Sequence, residues 1–173
     1  LTDGRTGALY RWKPGTRAIE PFVSLGTHLQ PRGLAWSGDG RALYVAHIEG
    51  LSRVDMRTRE VSPVGHAPSL TLVGIDGLAS HRGDLIAVQS GLPKLARVMR
   101  LRLTADGLNV RAVDVLDANL PDHDMPTAGV IVGDGFYYVA NSQTHRFTAP
   151  GVPAAVETLQ KPIVRRVNLA DGK

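Results

Sequence analysis

The chain has 173 residues, 43% hydrophobic and 21% charged, enough apolar content for a real core and too little charge excess for a disordered segment. It contains no cysteine, which excludes disulfide frameworks, thiolate metal sites and cysteine nucleophiles, and it has no run of about 18 apolar residues that could span a bilayer. The net charge is +4 and sixteen of the twenty basic residues are arginine, but they are scattered, with no basic block and no interleaved aromatics, so neither nucleic acid nor a membrane is an expected partner.

In chain order, Leu1-Thr2-Asp3 reads as the end of a strand, followed by a second strand at Leu9-Tyr10-Arg11-Trp12-Lys13, a Lys13-Pro14-Gly15-Thr16 turn and a third strand from Ala18 to Leu25. The next stretch, Gly33 to His47 (GLAWSGDGRALYVAH), is the first full copy of a repeated unit. A short apolar strand opens with glycine, a Gly-Asp or Asp-Gly turn comes next, and a second strand ends in a small and then a polar residue. The same grammar recurs at Gly77 to Gln89 (GLASHRGDLIAVQ) and at Gly129 to Asn141 (GVIVGDGFYYVAN). Each copy continues into a strand with a basic residue before an apolar one, at Leu51 to Asp55, Val98 to Arg102 and Val164 to Asn168, which aligns Arg53, Arg100 and Arg166 with Arg11. Fourth strands are expected from Glu60 to Gly65 and from Asn109 to Leu116.

A repeat sets the architecture before any single strand does. Units of about 45 residues with four short antiparallel strands and no long helical periodicity are the signature of a β-propeller blade. The expected fold is therefore all-β, a propeller of four-stranded antiparallel blades, with about three to four blades in this chain. Residues 1–31 form a partial blade, 32–66 and 67–120 whole blades, and 121–173 a partial last blade carrying an inserted Pro-, Thr- and Ala-rich loop at 143–162. Because propellers close with roughly four to eight blades, the chain is read as the C-terminal half of a six-bladed ring, completed by an upstream segment or a second copy.

The strings PRGLAWSGDGRALYVAH and GIDGLASHRGDLIAVQSG resemble the six-bladed propellers of the gluconolactonase, senescence-marker-protein (regucalcin) and luciferin-regenerating-enzyme family. The closing DMPTAGVIVGDGFYYVANSQ is similar to the last blades of bacterial proteins in that group, and the blade grammar is shared with NHL-repeat proteins. The resemblance implies a divalent cation, Ca²⁺ or another, at the top of the central channel, held by carboxylate and amide oxygens, and lactones or their hydrolysis products as substrates. Asp76-Gly77-Leu78 looks like the family's Asp-Gly ligand motif, whereas Arg32-Gly33-Leu34 stands where the family has Asn-Gly-Leu. An arginine cannot ligate a cation, and the family's acidic ligand from the first blade would lie upstream of Leu1.

Blade geometry places the inter-blade loops and the loops from second to third strand on one face. That face collects Arg32, Asp76, Asp122, His123, Asp124 and Thr127 through the first kind of loop, and His47, Glu49, Gln89, Ser90, Asn141, Ser142, Gln143 and His145 through the second. His28 and His66 also belong there, and only His81 lies on the opposite face. Such a convergence of polar side chains is what a binding or catalytic mouth needs.

Asp76 is the candidate catalytic and metal-holding residue, with Asn141 as second ligand; Arg32, His47, Gln89, Asn141 and Gln143 are candidate ligand-binding residues. Each has a structural reading beside it. Asp76 could cap a turn, Asn141 could bridge blade backbones, and Arg32 could clamp a carboxylate, stack on Trp36 or pair with Asp76. Asp122-His123-Asp124 is not expected to converge, since neighbouring loop residues point apart. The aligned arginines are expected to be structural. If the chain is a hydrolase, a bound cation polarises a strained ester carbonyl and activates water; the competing reading is a non-catalytic propeller that binds a small anionic ligand or a protein on the same face.

Overall fold

The computed structural model describes residues 1–26, 29–92 and 95–170. The first sheet contains β1 (Thr2–Asp3), β2 (Ala8–Trp12) and β3 (Ile19–Ser24), paired in the order β1-β2-β3. The second contains β4 (Leu34–Trp36), β5 (Ala42–His47), β6 (Gly50–Asp55) and β7 (Val61–Pro63), and the third β8 (Ile75–His81), β9 (Asp84–Leu92), β10 (Leu95–Leu103) and β11 (Val110–Ala118); both are four-stranded, antiparallel and ordered as the chain runs. The last blade sheet joins β12 (Gly129–Val132), β13 (Gly135–Val139) and β16 (Val164–Asn168). Between β13 and β16, the stretch expected as a plain loop carries a small hairpin, β14 (Phe147–Ala149) with β15 (Val152–Pro153), and two 3₁₀ turns at Thr144–Arg146 and Val156–Thr158.

The hairpins arise from turn chemistry. Asp39 accepts from Ser37 Oγ and from the Arg41 amide, and Gly40 takes the left-handed conformation beside it (φ 69°). Asp55 accepts from the amides of Arg57 and Thr58, both at 2.9 Å, and Asp106 from Thr104 Oγ1 and the Leu108 amide. An aspartate bonded to the backbone two or three residues on is the usual way such a turn is fixed.

Three apolar layers hold successive sheets face to face. Leu9, Leu43, Val45 and Val54 fill the first interface, Leu51, Ile75, Leu85, Met99 and Leu101 the second, and Ile86, Val98, Phe136, Tyr138 and Val167 the third. The inner strands converge so closely that the glycines opening them have a steric reason. A Cβ on Gly33 would lie 2.8 Å from the Leu78 nitrogen, and one on Gly77 would lie 2.8 Å from the Ala128 Cα. In the last blade this position belongs to Ala128, not to Gly129, which the repeat strings put there. Arg32 N bonds Ala46 O and Ala46 N bonds Gly33 O; the equivalent pair is Thr127 N to Val139 O and Val139 N to Ala128 O.

The recurring arginines keep one register, opposite Tyr44, Ile86 and Tyr137 in the second, third and fourth blades, but their partners differ. Arg11 bonds Glu20 at 2.6 Å, Arg100 reaches the Leu169 carbonyl of the next blade, and Arg166 lies over the Tyr137 ring at 5.9 Å.

Candidate functional site

The loop before each inner strand bends through a left-handed residue: Gln30 (φ 46°), Gly74 (φ 77°) and Met125 (φ 60°). Two of the three are not glycine, and such backbone strain tends to persist where surrounding structure fixes it. Two residues later come Arg32, Asp76 and Thr127, one from each of three consecutive blades. Arg32 Nη1 donates to Asp76 Oδ1 at 2.7 Å, and Thr127 Oγ1 donates to Asp76 Oδ2. A single carboxylate thus ties three blades together on the loop-rich face. Of the three readings open for Arg32, this is the ion pair, and the Arg32 side chain is still 56% exposed against 24% for that of Asp76.

Beside this row lies a cleft of about 550 Å³, lined by Arg32, Asp76 and His47 with Ser90, Met125 and Thr144 among its other walls. His47 is buried; its Nδ1 accepts the Glu49 amide at 3.2 Å, which leaves Nε2 to donate to Ser52 Oγ at 2.9 Å. Its ring therefore forms the floor of the cleft with both nitrogens in use.

The three amides singled out in the sequence sit at the same end of the blades and hold backbone. Gln89, fully buried, donates to the carbonyls of Thr71 and Val73 and accepts from Arg97 Nε at 2.6 Å. Asn141 donates to Lys161 O and accepts the Ile163 amide at 2.6 Å; Gln143 donates to Gln160 O and accepts the Gln160 amide at 2.8 Å. Asn141 and Gln143 thus close the base of the 143–162 insert from the inside.

Asp122, His123 and Asp124 point to three different places. Both Asp122 oxygens meet Arg165 Nε, at 2.9 and 2.8 Å, and this guanidinium holds the Asp122 carboxyl below the usual range. His123 lies between the Ala96 carbonyl and Tyr138 Oη, whose own proton goes to Asp117 at 2.8 Å. Burial first, and then the Asp117 bond, push the Tyr138 phenol well above its ordinary value. Asp124 turns to the insert, meeting Arg146 at 3.0 Å and His145 at 3.4 Å. His66 bonds the neighbouring Ala67 carbonyl, and His28 lies outside the described residues.

Among the described residues no group of three His, Asp or Glu could hold a metal ion. The donor chemistry of the two expected ligands agrees with this. Each Asp76 oxygen has a protein donor, one of them cationic, and both amide atoms of Asn141 are taken by backbone. In this arrangement Asp76 and Asn141 do not fit as ligands of Ca²⁺ or Mg²⁺, hard cations that take six or more oxygens, because their own oxygens already accept from protein donors. Thr127 was expected on this face, but the glycine strings set the last repeat one residue out of register, so its equivalence to Arg32 and Asp76 comes from the backbone pairing.

No family model matches the chain and no curated protein matches it. Solved structures do. Luciferin-regenerating enzyme is similar over 93% of this chain and 51% of its own, with a TM-score of 0.61 and 16% identity. A nidogen/laminin complex is similar over 79% of this chain and 51% of the matched one, with a TM-score of 0.56 and 18% identity. The fold is thus a β-propeller, present in part, and the chain spans about half the length of these structures.

Proposed function

We propose that this propeller segment binds a small anionic molecule, a carboxylate for preference, in the cleft of the loop-rich face. The observation that carries the reading is the state of Arg32. Its side chain is more than half exposed at the cleft wall and gives Nη1 alone to Asp76, while Nε and Nη2 meet no acceptor among the described residues. A planar guanidinium with two donors to offer matches a carboxylate bidentately. Asp76, held by Arg32 on one side and Thr127 on the other, sets the orientation of that guanidinium, and the Ser90 and Thr144 side chains add hydroxyl groups to the lining.

The resemblance of the blade strings to the gluconolactonase group implies the other reading, cation-dependent lactone hydrolysis with Asp76 as ligand. Binding is favoured over it because a carboxylate already neutralised by an arginine has little left to offer an ion. Calorimetry with gluconate, with its neutral lactone and with CaCl₂ separates the two. Gluconate is expected to bind at low salt, and Arg32→Ala to weaken it about tenfold or more, roughly 1.4 kcal/mol, with no effect of calcium. Calcium binding that disappears in Asp76→Ala, or turnover of the lactone, overturns the reading.

A further inference from the structure

The cleft beside the Arg32–Asp76–Thr127 row takes its walls from three successive blades. The second contributes Arg32 and Ile48, the third Val73 and Asp76, and the fourth Met125 and Ser142, while the sheet of β1, β2 and β3 contributes none of the described lining. The polar and apolar parts of these walls differ in what they have left to give. Arg32 is the only lysine or arginine among the described lining residues, and Asp76 the only carboxylate. Both Asp76 oxygens accept from protein donors, both His47 ring nitrogens are in use, and the Ser142 hydroxyl donates to the Met125 carbonyl. Much of the remaining wall is aliphatic: Ile48 is 44% exposed, and Val73 and Met125 are half-buried.

A single cation with donors to spare, set in a cleft with aliphatic walls, selects for a ligand that is charged at one end and apolar along the rest. Each methylene moved from water onto such a wall gains up to about fourfold in affinity. A hydroxylated chain gains less, because every hydroxyl must give up its bonds to water where most of the neighbouring polar groups are already engaged. A second carboxylate finds no second cation there and meets the like charge of Asp76. The volume of about 550 Å³ leaves room for a short chain.

Resting on the carboxylate reading above, we infer that the ligand class is an aliphatic monocarboxylate, its charge on Arg32 and its tail over Ile48, Val73 and Met125, in preference to a sugar acid or a dicarboxylate.

Hexanoate, gluconate and adipate are acids of equal chain length that differ in the tail, and calorimetry of the full chain with all three tests the inference. Hexanoate is expected to bind about tenfold or more tighter than gluconate or adipate, and butanoate, with a shorter tail, about threefold or more weaker than hexanoate. Ile48→Ser and Val73→Thr are each expected to weaken hexanoate about threefold while leaving gluconate within about twofold. The second change keeps the side-chain volume, and circular dichroism establishes that each variant is folded; where neither folds, the wild-type series decides. Gluconate or adipate binding as tightly as hexanoate, with all three lost in Arg32→Ala, overturns the inference and leaves the carboxylate reading standing. Folded variants that both hold hexanoate like wild type do the same. If no acid binds, or if neutral hexanamide binds as tightly as hexanoate, the carboxylate reading falls and the inference falls with it.

Discussion

Asp76 connects three blades with two oxygens, and its neighbours show how much of that connection could be read in advance. The Arg32–Asp76 pair was one of three readings open for Arg32, since two opposite charges at equivalent points of adjacent repeats are close by construction. Thr127 was legible as a residue of that face but not as the equivalent of Arg32 and Asp76, because Gly129 attracts the alignment that Ala128 occupies in space. The glycines were legible as markers but not as a steric need, which depends on the 2.8 Å approach of a neighbouring strand. Gly33→Ala and Gly77→Ala are each expected to destabilise by about 1–3 kcal/mol through overpacking against backbone that cannot yield, measurable by urea denaturation; unchanged midpoints would mean that the inner strands shift apart freely. Asn141 illustrates the opposite case. The sequence left ligation and backbone bridging open, and nothing in a loop asparagine says which carbonyl will come within reach of it.

Among the elements, hairpins were the most legible, since Asp and Gly at a fixed place between alternating apolar runs leave few alternatives. Their chemistry carries a pH dependence. Ser37 holds the Asp39 carboxyl below its ordinary range, the Thr58 and Arg57 amides do the same for Asp55, Thr104 for Asp106, and the Arg165 guanidinium for Asp122. Groups depressed in the folded state stabilise it above their unfolded values and lose that contribution as pH falls. Thermal midpoints are therefore expected to be flat near neutrality and to drop below about pH 4. Asp122→Asn should flatten part of that drop. At the alkaline end Tyr138 has the reverse sign, because its phenol is raised by burial and by Asp117. Stability present below about pH 10 is expected to fall as pH climbs further. Tyr138→Phe removes this limb and, by leaving His123 and Asp117 without their shared partner, costs about 1–3 kcal/mol at neutral pH. No sequence pattern pointed to this trio, since its members come from β11, β13 and the loop between the last two blades.

At the scale of the whole molecule, periodicity identified the architecture, a propeller of four-stranded antiparallel blades. What periodicity could not supply is the internal structure of the 143–162 insert, whose hairpin has no counterpart among the described residues of the other blades. Asn141, Gln143 and the Ala140–Ile163 backbone bond gather both of its ends at one point. In the second blade the same two strands are joined by Ile48 and Glu49 alone. Replacing 143–162 by so short a turn is expected to leave the blade folded, with a thermal midpoint within a few degrees, while removing Thr144 from the cleft wall and altering which carboxylates bind. The insert is in that sense an exchangeable cassette: selectivity can be rewritten there without renegotiating the scaffold, and libraries built between residues 143 and 162 would sample new ligands on a frame that does not notice the change.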